Sequence, residues 1–443
     1  MVFVPFPGLA ADDRVAHSEP IDAGRIQVSP AAALQHLPAA SRLRLVQNAG
    51  GPVYLLDGDG PRVAVDAQSG QLRPLLSPQA ALSIAQKFSK STPGSVAGPL
   101  DYDQWIVHQQ FDAARPFYRV ALQDPAATTL YVSARSGEVL QRTTARERGW
   151  NWVGAVPHWW YYTIIRKDWA FWNFLVWWVA LIGVVLAVAG AVLGVQHMLT
   201  QRRSRGGWSP FRGWLRWHHF AGLGGGLFLL LSITSGWLSM DHGRLFSTGV
   251  ADSLRLQRYR GMSLHDAAAS ISVEALRSAA TANELLISAV AGRPLLLAPA
   301  DHTTRLTDEK LLAAVRAGWP DSHPGAPRRV AEFDLAAQAE GMPEPTVQIP
   351  LNDGSDTTLY VDSVSGQIVT VMDPSRLRYA WLYYAMHTYR YPGLITHPAL
   401  RQTLIFVPLS LGFALSLTAV VVGLRRITRL HLWGTGKVGT DYL

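Results

Sequence analysis

Leu130-Tyr131-Val132-Ser133-Ala134-Arg135-Ser136-Gly137-Glu138-Val139-Leu140 returns 229 residues later as Leu359-Tyr360-Val361-Asp362-Ser363-Val364-Ser365-Gly366-Gln367-Ile368-Val369. Each stretch runs into a Ser-Gly turn and out again, the composition of a strand hairpin. Twenty-one residues after each glycine stands a histidine, His158 and His387, with a tryptophan six residues before it, Trp152 and Trp381. Farther on, Gly183, Ala187, Gly190 and Gly194 fall on Gly412, Ser416, Ala419 and Gly423 at the same offset. The chain reads as an internal duplication. Two copies of one unit commonly pack about a pseudo-twofold axis, where a residue kept in both copies can meet its counterpart.

The 443 residues are 48% hydrophobic and 16% charged, with 16 Trp, too apolar for an ordinary pair of soluble domains. The excess sits in three uncharged runs, Trp169 to Val195, His218 to Met240 and Thr403 to Leu424. Each is long enough to cross roughly 30 Å of hydrocarbon as a helix. Arg202, Arg203, Arg205, Arg212 and Arg216 lie between the first two runs with no acidic residue, and Arg425, Arg426 and Arg429 follow the third. Such clusters stay in the cytoplasm, which puts both polar regions on the opposite side. These arginines supply most of the net charge of +8, so the charge is a topology signal and implies no nucleic acid. Zero cysteines exclude disulfides, thiolate metal sites, iron–sulfur ligation and thioether attachment of haem.

The expected order is a remnant of a first transmembrane span at 1–11, an outer domain at 12–149, an interfacial aromatic segment with a span at 150–199 and a cytoplasmic loop at 200–213. A span at 214–240, a second outer domain at 241–378, an aromatic segment with a span at 379–428 and a cytoplasmic tail at 429–443 follow. The remnant is inferred because the repeat places the counterpart of the span at 218–240 at about −11 to 11. The upstream sequence is then expected to continue the span, with a histidine near −11.

In the first outer region, Val53 to Leu56 and Arg62 to Val65 read as strands joined by Asp57-Gly58-Asp59-Gly60. This acidic turn lacks the rest of a calcium loop and reads as a solvated hairpin turn. Ser77-Pro78 caps a helix over Gln79 to Phe88. Extended segments at Tyr102–Phe111, Phe117–Leu122 and Thr129–Val132 follow. The second region repeats the order with Leu285–Val290, Arg293–Leu297, a helix after Thr307 and strands ending at Ser365-Gly366. The expected fold is an α-helical membrane protein with two small α+β extracytoplasmic domains, each a helix on an antiparallel sheet. His17, His36, His108, His265, His302 and His323 have no recurring partner at metal-ligand spacing, and no nucleophile motif or phosphate loop is present.

An alanine-rich helix and a strand ending in Val-Asp-x-x-x-Gly (Val65-Asp66 to Gly70, Val361-Asp362 to Gly366) resemble the PepSY domain. With Trp217-His218-His219-Phe220-Ala221-Gly222-Leu223 and Ser235-Gly236-Trp237-Leu238-Ser239-Met240, nearly the whole chain resembles the PepSY-associated transmembrane family. That resemblance implies a multi-pass protein of the bacterial inner membrane with its large domains in the periplasm. Relatives in iron uptake imply haem b, a ferric siderophore or iron complex as acceptor, and a quinol or cytoplasmic electron donor. The family's span–domain–span–span–domain–span order departs here at the first span.

An imidazole in a span is expensive and asks for a partner, and haem iron takes two opposed histidines. His218, Gly222, Gly225, Leu229, Ser232 and Gly236 recur on one helical stripe. Gly183, Ala187, Gly190 and Gly194 make another, which the same spacing continues to His197. His197 and His218 are therefore expected to face inward at the cytoplasmic ends of their spans. His219 is turned about 100° from His218 and cannot serve the same iron from the same side. His158 and His387 sit in aromatic stretches (Trp150 to Tyr162, Tyr379 to Tyr391) suited to the outer interface. They are the expected axial pair, with His218, His197 and His219 as further candidates, while His242, His397 and His431 read as interfacial surface residues.

Two functions remain open on the sequence. One is haem-dependent electron transfer across the membrane to a ferric acceptor, which as an enzyme is a transmembrane ferric or siderophore reductase. The other is a non-enzymatic membrane scaffold or sensor whose outer domains bind a peptide or protein. Reporter fusions at Gly206 and at about Ala300 should report opposite sides of the membrane; the same side at both positions refutes the topology.

Overall fold

The computed structural model describes residues 4–242, 251–298, 305–331, 334, 342 and 345–434, the side chains of 429–434 excepted. Expectations for Met1 to Phe3, His302, Arg429, His431 and 435–443 lie outside the described residues or side chains. Two compact units divide the chain: Met1–Trp172 with Gly249–Val330 and Met342–Pro374, and Asn173–Thr248 with Ala331–Gly341 and Ser375–Leu443. The strands are β1 (Arg42–Asn48), β2 (Gly51–Asp57), β3 (Val63–Asp66), β4 (Pro93–Leu100), β5 (Phe117–Leu122), β6 (Thr129–Ser133), β7 (Val139–Thr143), β8 (Glu284–Val290), β9 (Arg293–Leu297), β10 (Arg328–Arg329), β11 (Thr346–Pro350), β12 (Thr358–Asp362) and β13 (Ile368–Met372). The helices used below are α1 (Ala11–Ala16), α2 (Pro78–Ser89), α3 (Trp169–Arg205), α4 (Gly213–Ser239), α5 (Ser253–Arg260), α6 (Asp308–Gly318) and α7 (Pro398–Gly434).

The first unit contains two helix-on-sheet layers and a third sheet. In one layer α2 lies on β4-β5-β6-β7, burying Ala81, Ala85 and Phe88 against Val120, Leu130 and Val132. In the other α6 lies on β10-β11-β12-β13, burying Leu311, Ala314 and Val315 against Ile349, Leu359 and Val361. Apolar residues at i, i+3 or i+4 on the helix and alternate positions on the strand make these faces. Ser77 caps α2 as expected, accepting from the Ala80 amide at 3.2 Å, with Pro78 at the first helical position. The extended segment expected over Tyr102–Phe111 is not a strand. That role falls to Pro93–Leu100 at the sheet edge, where prolines without amide hydrogens are tolerated.

Three turns share one chemistry. Asp66 Oδ1 accepts from the Gln68 and Ser69 amides, Ser133 Oγ from Arg135 and Ser136, and Asp362 Oδ1 from Val364 and Ser365. The side chain ties down the turn, and the glycine four residues on takes a positive φ (+75° at Gly70, +71° at Gly137, +67° at Gly366) that a Cβ would strain. The recurring Asp/Ser-x-x-Ser-Gly spacing is thus a backbone requirement.

The third sheet, β3-β2-β1-β8-β9, unites the two outer regions in one unit, in place of the two separate domains expected. Antiparallel pairing of β1 with β8 sets Leu43 opposite Ile287 and Val46 opposite Glu284. Its hairpins also revise the expected correspondence. The turn Ala49-Gly50-Gly51-Pro52 of β1–β2 recurs as Ala291-Gly292-Arg293-Pro294 of β8–β9, 242 residues later, so β9 answers to β2 and β3 is the additional edge strand. On this sheet Arg44 sits diagonally across from Glu284, on the same face. Buried Arg44 donates to Glu138 (Nη1–Oε1 2.7 Å, Nη2–Oε2 3.2 Å) and to Glu284 at 3.3 Å, while Arg14 reaches both carboxylates at 2.9 and 2.8 Å. Arg62 adds pairs to Glu138 and Asp57. Burial opposes the charge on Glu138, but Arg44, Arg62 and Arg14 outweigh it and hold the carboxyl well below its usual range.

Residues 4–10, expected as the end of a span, are not helical. Pro5 and Pro7 lack amide hydrogens, and their carbonyls accept from Asn151 and Gln141. Phe6 packs among Trp105, His108, Trp159 and Tyr161. Burial, with Arg166 nearby, lowers His108 to about 4.

Among the described residues, the second unit holds three helices long and apolar enough to cross a membrane, α3 from Asn173 onward, α4 and α7. The bounds of α3 and α7 differ by 229 residues at both ends.

His108 makes the first unit acid-sensitive. Unfolded, it takes up a proton near its usual pKa of about 6.5; folded, it waits until about 4. The unfolded chain binds more protons between those values, so stability is full above that window and falls as pH drops through it, by about 3 kcal/mol for this group. His108→Phe is expected to flatten that limb of a pH series of unfolding midpoints; an unchanged slope contradicts the assignment.

Candidate functional site in the helix bundle

The candidate site is built along one face of α4. His218, Gly222, Gly225, Leu229, Ser232 and Gly236 stand at helical spacing, and α7 runs antiparallel against the His218 half of this stripe. Thr418 meets His218, a Cβ on Gly222 would lie 3.7 Å from Leu415, and one on Gly225 would lie 3.0 Å from Leu411. Small residues are there because the helices approach closely.

At the other end of the stripe His387 takes the place of α7. It ends the segment Trp381–His387, wound as a π-helix, a geometry that recurs at functional sites. Its ring stacks on Tyr383 at 5.5 Å and 18°, and a Cβ on Gly236 would lie 3.1 Å from His387 Cε1. His387 Nδ1 lies 3.1 Å from the Ser232 carbonyl and 3.2 Å from Ser235 Oγ. Tyr379 fixes the same segment by donating to the Ser239 carbonyl at 3.0 Å.

Hydrogen-bond partners assign the ring tautomers. A carbonyl only accepts, so His387 Nδ1 carries its hydrogen toward Ser232, and a neutral ring then presents a lone pair at Nε2. At His218 the partner is Thr418 Oγ1, 3.1 Å from Nδ1; that hydroxyl gives its one hydrogen to the Ala414 or Leu415 carbonyl, both at 2.9 Å. His218 Nδ1 is therefore the donor, and Nε2 again holds the lone pair. This is the orientation in which a histidine ligates iron, its other nitrogen held by an outer partner.

His219 is different. Buried and turned toward α3, it donates from Nε2 to the Gly194 carbonyl at 2.8 Å, while Nδ1 lies 2.9 Å from Ser209 Oγ. Both nitrogens are used, and its rotation from His218 sends the two rings to different helices. His197, expected inward, is exposed; its Nδ1 bonds the Leu193 carbonyl at 2.7 Å and its ring meets Phe211 at 5.1 Å. The covered stripe of α3 runs Ala187, Ala191, Gly194, Met198, leaving Gly190 and His197 one residue, or about 100°, away.

His158 belongs to the first unit, exposed on the short helix Ala155–Trp159. His218 and Gly236, against which His387 packs, are 18 residues apart on α4, roughly 27 Å along the axis, so His218 and His387 mark opposite ends of the bundle. His242 packs on Trp177 and His397 is exposed with Nδ1 toward the Gly393 carbonyl. Among the described residues no three His, Asp or Glu side chains gather as a metal site. Ser235, Tyr383 and Thr418 were not singled out in the sequence as site positions; His387 and the small stripe, Ser232 among it, were.

Compared with known proteins, the chain matches no family model and no curated sequence.

Gly225→Leu should push α7 from α4 and cost about 1–3 kcal/mol. Gly224→Leu, on the exposed side with nothing within 4 Å of the added Cβ, should be tolerated. Thermal unfolding in detergent checks the pair; equal midpoints contradict the close approach.

Proposed function

We propose that the protein carries electrons across a bacterial inner membrane, holding haem b at histidines of its helix bundle and delivering electrons to a ferric complex, a siderophore among the candidates, on the periplasmic side. The observation that carries this reading is the shared tautomer of His218 and His387, in which Nδ1 carries the ring hydrogen toward Thr418 or the Ser232 carbonyl. Their separation along α4 supports ligands near both faces of the membrane, as electron passage requires. His387 is proposed as an axial ligand paired with His158, its counterpart at the 229-residue offset. His218 is a second ligand position. The satisfied ring of His219 and the exposed ring of His197 argue against those two.

Haem supplies the one-electron chemistry; the chain's own part is to orient imidazoles, exclude water and hold the ring hydrogens on Nδ1. The electron donor is proposed to be a quinol or a cytoplasmic carrier. The matching limits of α3 and α7, the two helix-on-sheet layers and the repeated Ser-Gly turns support an internal duplication with PepSY-like outer portions.

The detergent-solubilised chain should show a Soret band that shifts on dithionite reduction. His158→Ala and His387→Ala should each lose the same low-spin bis-histidine signal, and His219→Ala should keep it. Full haem content in the His158→Ala/His387→Ala double variant overturns the pairing, and no haem at all in the parent overturns the function.

A further inference from the structure

The two halves of the first unit treat equivalent grooves differently. In the second half, the groove between the Ser365-Gly366 turn and the end of β8 is filled by apolar side chains. A Cβ on Gly366 would run into Val290 and lie 2.9 Å from Leu306. Buried Tyr259 on α5 donates to the Gly366 carbonyl at 2.9 Å. In the first half the corresponding groove lies between the Ser136-Gly137 turn and the end of β1, where Asn48 bonds the Ser136 carbonyl at 2.8 Å. His17, 242 residues before Tyr259, does not plug it: the ring is exposed and lies beside Phe88 at 5.2 Å. A cavity of about 60 Å³ remains, lined by Arg14, Glu19, Asn48, Lys87, Glu138 and Glu284 among others.

Arg14 enters this groove from α1, a six-residue helix whose one buried residue is Val15. Its Nη1 goes to Glu138 at 2.9 Å and its Nη2 to Glu284 at 2.8 Å, one planar group spanning carboxylates from two separate strands and turns. Beneath them, Arg44 and Arg62 complete a set of three guanidiniums and three carboxylates with Asp57. With Arg14 withdrawn, Glu138 and Glu284 each lose a close guanidinium partner, while Arg44, Arg62 and the more exposed Arg42 stay beside the three carboxylates, and a buried carboxylate short of a partner is costly. An entering guanidinium restores both bonds. A lysine ammonium is a point charge without the planar fork that reaches both carboxylates.

We propose that this groove recognises the guanidinium of an arginine presented by an extended partner peptide, with Arg14 as the resident occupant that the partner displaces. The exposed Glu19–Lys87 pair at the rim, 3.0 Å apart, gives the peptide's own polar groups a place to bond. Among the described residues, the equivalent groove of the second half is closed by Tyr259, Val290 and Leu306. The inference is independent of haem.

The test uses the full chain in detergent micelles, with N-acetyl-arginine amide and N-acetyl-lysine amide as probes at constant ionic strength. Arg14→Ala should unfold at a lower temperature than the parent, and the arginine probe should restore the midpoint saturably. The lysine probe should act about tenfold more weakly, and the parent should respond about tenfold more weakly than the variant because its own Arg14 competes. Arg14→Lys, which keeps the charge and loses the fork, is the second variant and should show the same arginine-selective response. Adding Glu284→Gln to either variant should abolish it. The proposal is overturned by no saturable response in both single variants, by equal response to the two probes, or by a response that survives Glu284→Gln.

Discussion

Arg44 is the constraint on which the first unit depends. It lies on β1, the strand that joins the two outer regions through β8, and it is almost entirely buried with Glu138 and Glu284 as partners. Burying a guanidinium is tolerable only with its charges paired, and removing one partner of a buried pair costs about 3–5 kcal/mol. Glu138 arrives on the turn after β6 and Glu284 on β8, so pairing requires that both regions dock in one register. A slip of β8 by one residue would turn Glu284 to the opposite face, away from Arg44. The network therefore fixes arrangement more than it adds stability.

In the helix bundle, small residues do the corresponding work. Gly222 and Gly225 let α7 approach α4, and Gly236 leaves space for the His387 ring. Close approach brings Thr418 to His218 and the Ser232 carbonyl to His387, and those partners decide which ring nitrogen keeps a lone pair. A longer side chain anywhere on the stripe would alter helix spacing and imidazole chemistry together. The same logic separates neighbours in sequence: one residue of helix rotation sends His218 to α7 and His219 to α3.

Much of this was legible beforehand. The three apolar helices follow from uninterrupted hydrophobic runs, the Ser77-Pro78 start of α2 from capping chemistry, and the Ser-Gly turns from their spacing, because each signal is local. The stripe on α4 was legible too, its small residues repeating at helical period. His197 was misplaced because Gly190 and Ala191 are both small, and composition cannot tell which of two adjacent small residues a neighbour covers. The β1–β2 correspondence was missed since the 229-residue offset holds only beyond β3, while before it the offset that matches is 242.

By itself the sequence determined the elements and their periodicities, where apolar length, caps and turn residues act within a few positions of one another. It also determined the candidate histidines, through a repeat that needs no coordinates. Only the tertiary structure decided that β1 and β8 share a sheet, that Arg14, Arg44 and Arg62 converge on Glu138, and that His219 is fully satisfied while His218 is not. Those outcomes depend on pairings across 10 to 270 residues of chain, where no local pattern chooses the partner. The choice falls to burial: a charge or ring nitrogen taken out of water must find its counterpart, and only one packing supplies them all.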